Sequence, residues 1–168
     1  MILAVDVHYP ERGAIAAALA FDDWTSPTPT ATYVSRFADV EAYAPGAFYR
    51  RELPCILGLL QEYGLSPDCI VIDGHAFLDD EGRAGLGKHL FDALQGRIPV
   101  IGVAKSAFAG TSADAAVLRG NSARPLYVTA VGLPQEEAKA HVRAMHGAHR
   151  IPTLLKRVDR QCRQASPA

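Results

Sequence analysis

Hydrophobic and polar positions alternate along this chain in blocks that read as strands first and as strand–helix pairs afterwards. Residues 1–9 form a short apolar run with Asp6 near its end, and Arg12-Gly13 makes a turn. Residues 14–21 are a second apolar run bounded by Asp22-Asp23, and residues 31–37 alternate in the manner of a third strand. Three successive strands with short connections predict an antiparallel meander. After the break at Tyr43-Ala44-Pro45-Gly46, residues 48–63 carry Phe48, Cys55, Ile56, Leu59 and Leu60 at helical spacing. Pro54 is expected in an early turn or at a kink, and Gly64 is expected to cap the helix end.

Cys69-Ile70-Val71-Ile72-Asp73-Gly74-His75 follows, an unbroken apolar run that ends in an acid. Such a run predicts a strand buried on both faces. Residues 86–94 predict a short helix, residues 98–105 a second buried strand, and residues 126–131 a further strand. Residues 109–123, rich in Gly, Ser and Ala, read as a mobile loop, and helices are expected over 134–145 and 153–164. The first three strands then form one side of a mixed sheet, and the later strands, separated by helices, run parallel. No internal repeat and no linker interrupts the 168 residues, so one domain is expected over 1–168.

Composition narrows the class. At 49% hydrophobic and 21% charged, the chain is expected to be globular, without a membrane-spanning run. The N-terminus lacks a basic segment and meets Asp6 too soon for a secretory leader, which favours a cytoplasmic protein. The 3 cysteines form no closely spaced pair, and buried reduced thiols are expected. A net charge of -1 argues against strong non-specific binding to nucleic acid. The segment from Lys139 onward is nevertheless basic, with Asp159 its only acid, and suits either a phosphate-facing surface or a solvated helix face.

The acids carry the candidate chemistry. Asp6 and Asp73 end strands that a meander and a crossover can bring side by side. Glu52 lies on the helix between them, and Asp159 on the last helix. Gathered carboxylates raise each other's pKa unless a cation neutralises them, and hard oxygen donors suit Mg²⁺ or Mn²⁺. Such an ion assists phosphodiester hydrolysis, and Lys105, at the end of the next strand, can meet a phosphate. Each residue also has a plainer role. Asp6 and Asp73 suit turn caps, Glu52 an exposed helix charge, Asp159 a partner of Lys156 or Arg163, and Lys105 a surface lysine.

Several stretches match a known pattern in order. Residues 43–54 read Tyr43-Ala44-Pro45-Gly46-Ala47-Phe48-Tyr49-Arg50-Arg51-Glu52-Leu53-Pro54. Later come Pro67-Asp68, then Asp73-Gly74-His75, Gly85-Leu86-Gly87-Lys88-His89-Leu90, Pro99-Val100-Ile101-Gly102-Val103-Ala104-Lys105-Ser106, and Arg150-Ile151-Pro152 leading to Asp159. The chain thereby resembles the endonuclease V family, enzymes that nick nucleic acid near deaminated adenine. The resemblance implies an α/β ribonuclease H-like fold, a mixed sheet with an antiparallel meander and parallel strands, flanked by helices. It implies Asp6, Glu52, Asp73 and Asp159 as Mg²⁺ ligands, with Mn²⁺ able to substitute, and Lys105 as the active-site lysine. It implies Tyr43 on a strand-parting wedge, with Pro45, Gly46, Phe48, Gly74 and His75 at the pocket for an extruded base.

The chain departs from that pattern in three places. The family's His-Pro-Arg after Asp-Gly-His-Gly is replaced by a segment containing Asp79, Asp80 and Glu81; Ala42 replaces the first proline of the wedge; and a late Ser-Pro-Gly-His reads Thr129-Ala130-Val131-Gly132. The favoured reading is a Mg²⁺-dependent endonuclease acting on DNA or RNA at inosine or another deaminated or distorted base, a monomer without membrane contact. The alternative is a relative that binds nucleic acid or a protein partner through the same cleft without cutting. An enzyme of smaller phosphate-containing molecules is the third.

Overall fold

The computed structural model describes residues 1–42, 44, 45 and 47–166. Its strands are β1 (Ile2–His8), β2 (Ala14–Phe21), β3 (Ala31–Phe37), β4 (Cys69–Asp73), β5 (Val100–Ala104), β6 (Ala116–Val117) and β7 (Leu126–Val131), joined in one sheet of order β3-β2-β1-β4-β5-β7-β6. The helices are α1 (Tyr49–Glu62), α2 (Leu86–Ala93), α3 (Gln135–Ala144) and α4 (Thr153–Gln164). Strands β1 to β3 form the expected meander, and β1, β4 and β5 lie parallel. Helix crossovers give parallel neighbours. No helix joins β5 to β7, and β7 returns antiparallel, so the expectation of parallel later strands stops at β5.

The alternation of side chains builds two cores. Leu3, Val5, Ile70 and Ile72 pack towards α1 and α2, whereas Ile2, Ala4, Val71, Ile101 and Val103 pack towards α3 and α4. Strand β2 is buried throughout, and its Ala16, Ala17, Ala18 and Ala20 let helices approach from both sides. In α1, Pro54 sits in the second turn rather than at the start, where it removes a bond to the carbonyl of Arg50. The stretch 109–123 is more ordered than its composition suggests. It holds a short turn of 3₁₀ helix and β6, with Ala115 and Val117 buried.

Tight contacts fix the segment that leaves β4. Gly102 on β5 faces it so closely that a Cβ there would lie 2.6 Å from both the Gly74 oxygen and the Ala76 nitrogen. The Ala76 N–H donates to Thr129 Oγ1 on β7 at 2.8 Å. Gly85 and Gly87 bring the start of α2 against residues 75 and 76 in the same way. Among the described residues, no helix is long and apolar enough to cross a membrane.

Candidate metal centre and nucleic-acid interface

Parallel register sets the first pair of acids. Val5 on β1 lies level with Ile72 on β4, so the next residue on each strand brings Asp6 beside Asp73. Both project towards the α4 side, as Ala4 and Val71 do. Helix α4 runs across this end of the sheet, burying Leu154, Val158 and Cys162, and presents Asp159 to Asp6. A cleft of about 710 Å³ opens here, lined by Asp6, Asp73, Lys105 and Asp159 together with apolar Val103 and Leu126. The segment from His146 to Arg160, which carries Asp159, also lines it and brings His149, Arg150, Lys156 and Arg157 to the cleft. The basic segment of the sequence therefore lines the same cleft as the acids and is not a merely solvated helix surface.

The charges within the cleft are strongly coupled. Burial pushes the Asp6 carboxyl well up, and Asp73 and Asp159 reinforce the shift; the Val7 N–H, donating to Asp6 Oδ1 at 2.9 Å, opposes it. Burial also acts against an ionised Asp159, but Arg163 outweighs it and holds that carboxyl below the usual range. Arg163 Nε donates to Asp159 Oδ1 at 2.8 Å. Lys105 Nζ lies 3.5 Å from Asp73 Oδ2.

Glu52 differs from the other three acids. It does not line the cleft. It is only 6% exposed at the start of α1, on the other face of the sheet. Its carboxyl is pushed up to about 8, first by burial and then by Asp6 and Asp73, with Arg51 opposing. Its charge thus acts on both strand-end acids. Burial overrides the reading of Glu52 as an exposed helix charge. Arg51 itself stacks over the Tyr9 ring at 3.6 Å.

None of the expected base-pocket residues that the structure describes, Pro45, Phe48, Gly74 and His75, is among those lining the cleft. Pro45 and Phe48 are exposed, Phe48 at the entry to α1. Gly74 has φ of +134° and open space where a Cβ would stand, so its backbone is approachable. His75 Nε2 lies 3.2 Å from the Ser106 carbonyl, its Nδ1 is buried without a protein partner, and burial lowers its pKa. Tyr43 and Gly46 lie outside the described residues. The acidic loop is also built locally, since Asp79 Oδ1 accepts from the N–H groups of Glu81 and Arg83, each at 3.0 Å.

Arg119, which no sequence pattern marked, and Arg150, from the quoted Arg150-Ile151-Pro152 stretch, brace the site, and the unmarked Cys162 lies beside its acids. Cys162 follows Asp159 by one helical turn, and its Sγ lies with carboxylate oxygens of Asp6 and Asp159 in a group spanning 4.8 Å. Its spacing of three residues was the available signal. Arg119 is 6% exposed and donates to the carbonyls of Met145, Gly147, His149 and Arg150, fixing the basic wall. Arg150 then donates to the carbonyls of Lys105, Arg124 and Pro125, which joins that wall to the end of β5. Neither arginine carries a recognisable sequence signal for these backbone contacts.

A sheet of this order, with acids at the ends of two adjacent parallel strands and a third on the closing helix, defines a ribonuclease H-like protein. The endonuclease V family model matches residues 1–143. Endonuclease V from Streptomyces coelicolor is 33% identical over an alignment covering 98% of this chain and 78% of that protein. Other bacterial relatives, 34% identical, are matched over 57% and 50% of their own length. Among solved structures, endonuclease V from Streptomyces avermitilis superposes with a TM-score of 0.75 at 27% identity, covering 97% of this chain and 79% of that one. Endonuclease V from Ciona intestinalis, solved with a 23mer DNA containing an inosine followed by a ribo-adenosine, gives 0.78 at 20% identity, with 97% and 83% covered. The chain belongs to the endonuclease V family of nucleases.

Proposed function

We propose that this chain is a divalent-metal-dependent endonuclease that hydrolyses a phosphodiester near inosine, deoxyinosine or another deaminated or distorted base. The observation that carries the reading is the convergence of Asp6, Asp73 and Asp159, from three separate elements, on one cleft that a basic segment also lines. The donor set fits a hard divalent ion. It supplies carboxylate oxygens, and the raised pKa of Asp6, caused first by burial and then by Asp73 and Asp159, is one that a cation would relieve. Asp6, Asp73 and Asp159 hold the ion, with Glu52 as the buried fourth acid. A divalent ion held by these residues would supply a lower pKa to an attacking water and would screen the charge on the departing oxygen. Mg²⁺ is the working ion, and Mn²⁺ can replace it.

The chain's own groups supply the rest. Lys105, beside Asp73, meets a phosphate oxygen at the scissile position. Arg150, Lys156 and Arg157 follow the sugar–phosphate backbone along the wall that Arg119 fixes. The approachable Gly74 backbone and the exposed Phe48 ring receive the base taken out of the stack, together with Pro45, Gly46 and His75, while Tyr43 parts the strands. The enzyme acts as a single-domain monomer in the cytoplasm, where its three free cysteines stay reduced.

The test is nicking of deoxyinosine DNA and inosine RNA in Mg²⁺ by the parent chain and by Asp73→Asn. Cleavage by the parent alone, with substrate still bound by the variant, supports the reading. If neither substrate is cut by the parent and metal adds nothing to binding, it fails. The acidic turn at Asp79 to Glu81 favours a second reading, binding without cutting. Tight association with structured nucleic acid and no metal-dependent products would select it.

A further inference from the structure

One side chain in the acid cluster has no part in the nuclease reading. Cys162 lies on the face of α4 that packs against the sheet and is fully buried. Its Sγ donates only to the Asp159 carbonyl of its own helix, at 3.2 Å. The same sulfur, a carboxylate oxygen of Asp6 and one of Asp159 all lie within 4.8 Å of one another. Ligands about 2.0–2.3 Å from a tetrahedral centre stand about 3.3–3.8 Å apart, so three atoms within 4.8 Å of one another can meet on one ion after side-chain shifts of about 1 Å. Among the described residues, neither Cys55 on α1 nor Cys69 on β4 belongs to such a group.

Sulfur changes what the site accepts. Carboxylate oxygens suit Mg²⁺ and Mn²⁺, whereas a thiolate selects softer ions such as Zn²⁺ and Cd²⁺. We propose that Cys162 is a metal-specificity residue: with Asp6 and Asp159 it gives thiophilic divalent ions a position of their own, and an ion held there excludes the hard ion that supports cleavage. The inference rests on the metal-site reading above. The Sγ–metal bond forms as the thiol releases its proton to solvent. Mg²⁺ has no use for the sulfur, so hard-ion binding is independent of it.

The experiment titrates the full chain with Cd²⁺ and follows the sulfur-to-metal charge-transfer absorbance, with calorimetry of Zn²⁺ and Mn²⁺ alongside. The parent chain is expected to show the band. Cys162→Ser and Cys162→Ala are expected to lose it, to bind Zn²⁺ at least about tenfold more weakly, and to keep the parent's Mn²⁺ affinity. Zn²⁺ should inhibit nicking by the parent more strongly than by either variant. X-ray absorption of the parent with one equivalent of Cd²⁺ needs no variant and should report one sulfur among oxygens. An oxygen-only or multi-sulfur shell, or a band that survives both substitutions, overturns the role of Cys162 and leaves the nuclease reading standing. A parent chain that binds neither Mn²⁺ nor Cd²⁺ overturns both.

Discussion

Glu52→Gln is the most discriminating perturbation, because it separates the demands of folding from those of catalysis. Glu52 is almost wholly buried, and its carboxyl is pushed up to about 8 by burial and by the acids at the ends of β1 and β4. A carboxyl raised in this way contributes its full stability only below its unfolded pKa, in the ordinary range of about 4.3. From there up to about pH 8, the folded chain keeps a proton that the unfolded chain releases. Without metal, stability should therefore fall by about 1.4 kcal/mol per pH unit. By pH 7 the loss amounts to about 4 kcal/mol.

Glutamine mimics the protonated acid in shape and cannot ionise, so the variant escapes this loss. In EDTA at pH 7 it should melt higher than the parent by about 8–16 °C, and the two should converge near pH 4. Nicking should meanwhile be lost, since the ionised carboxylate is what a cation requires. The assay is a set of thermal melts between pH 4 and 8 in EDTA, repeated with Mg²⁺ or Mn²⁺. The metal should stabilise the parent and leave the variant much less affected. Parallel melting of the two proteins across the whole pH range would refute the argument, because Glu52 would then be an ordinary ionised surface acid.

Other perturbations test other parts of the same construction. Arg119→Met strips four carbonyls of their shared donor; urea unfolding should show a loss of about 2–4 kcal/mol, with binding of nucleic acid weakened as the basic wall loosens. Gly102→Ala forces a methyl group against the backbone of residues 74–76 and should cost about 1–3 kcal/mol; a larger proportional fall in kcat than in substrate affinity would mark displacement of Asp73. Arg157→Ala removes one cation from the cleft wall and should reduce the slope of log K against log salt by about 1, as read by fluorescence anisotropy in EDTA. An unchanged slope would remove Arg157 from the phosphate track.

The parts of the fold that were legible in the sequence are those where one periodicity dominates. Apolar runs marked β1, β2, β4, β5 and β7, and spaced apolar residues marked the helices, because burial on one or two faces leaves that imprint. Strand β6 left none, since Ala116-Val117 is too short to show alternation. The direction of β7 was equally hidden, because it depends on a return through residues 105–125 whose ordering comes from Arg119 and from packing of Ala115 and Val117. The pairing of Asp6 with Asp73 could be anticipated, since two parallel neighbours with acids at equivalent ends need only the right register. The burial of Glu52 could not, because the same Glu at the start of an isolated helix would face water.

Asp159 shows why plain and functional readings of one residue need not compete. Its ion pair with Arg163, four residues later on α4, is the contact that an ordinary helix surface would make. Here that pair also keeps Asp159 ionised beside an Asp6 whose carboxyl tends to hold its proton. Lys105 stands beside Asp73 in the same way. Each of these acids has a cation of its own and stands beside Asp6. Fixed cations can thus hold the cluster together until a mobile divalent ion takes over the neutralisation, which is why the two lysine and arginine partners are better regarded as part of the site than as evidence against it.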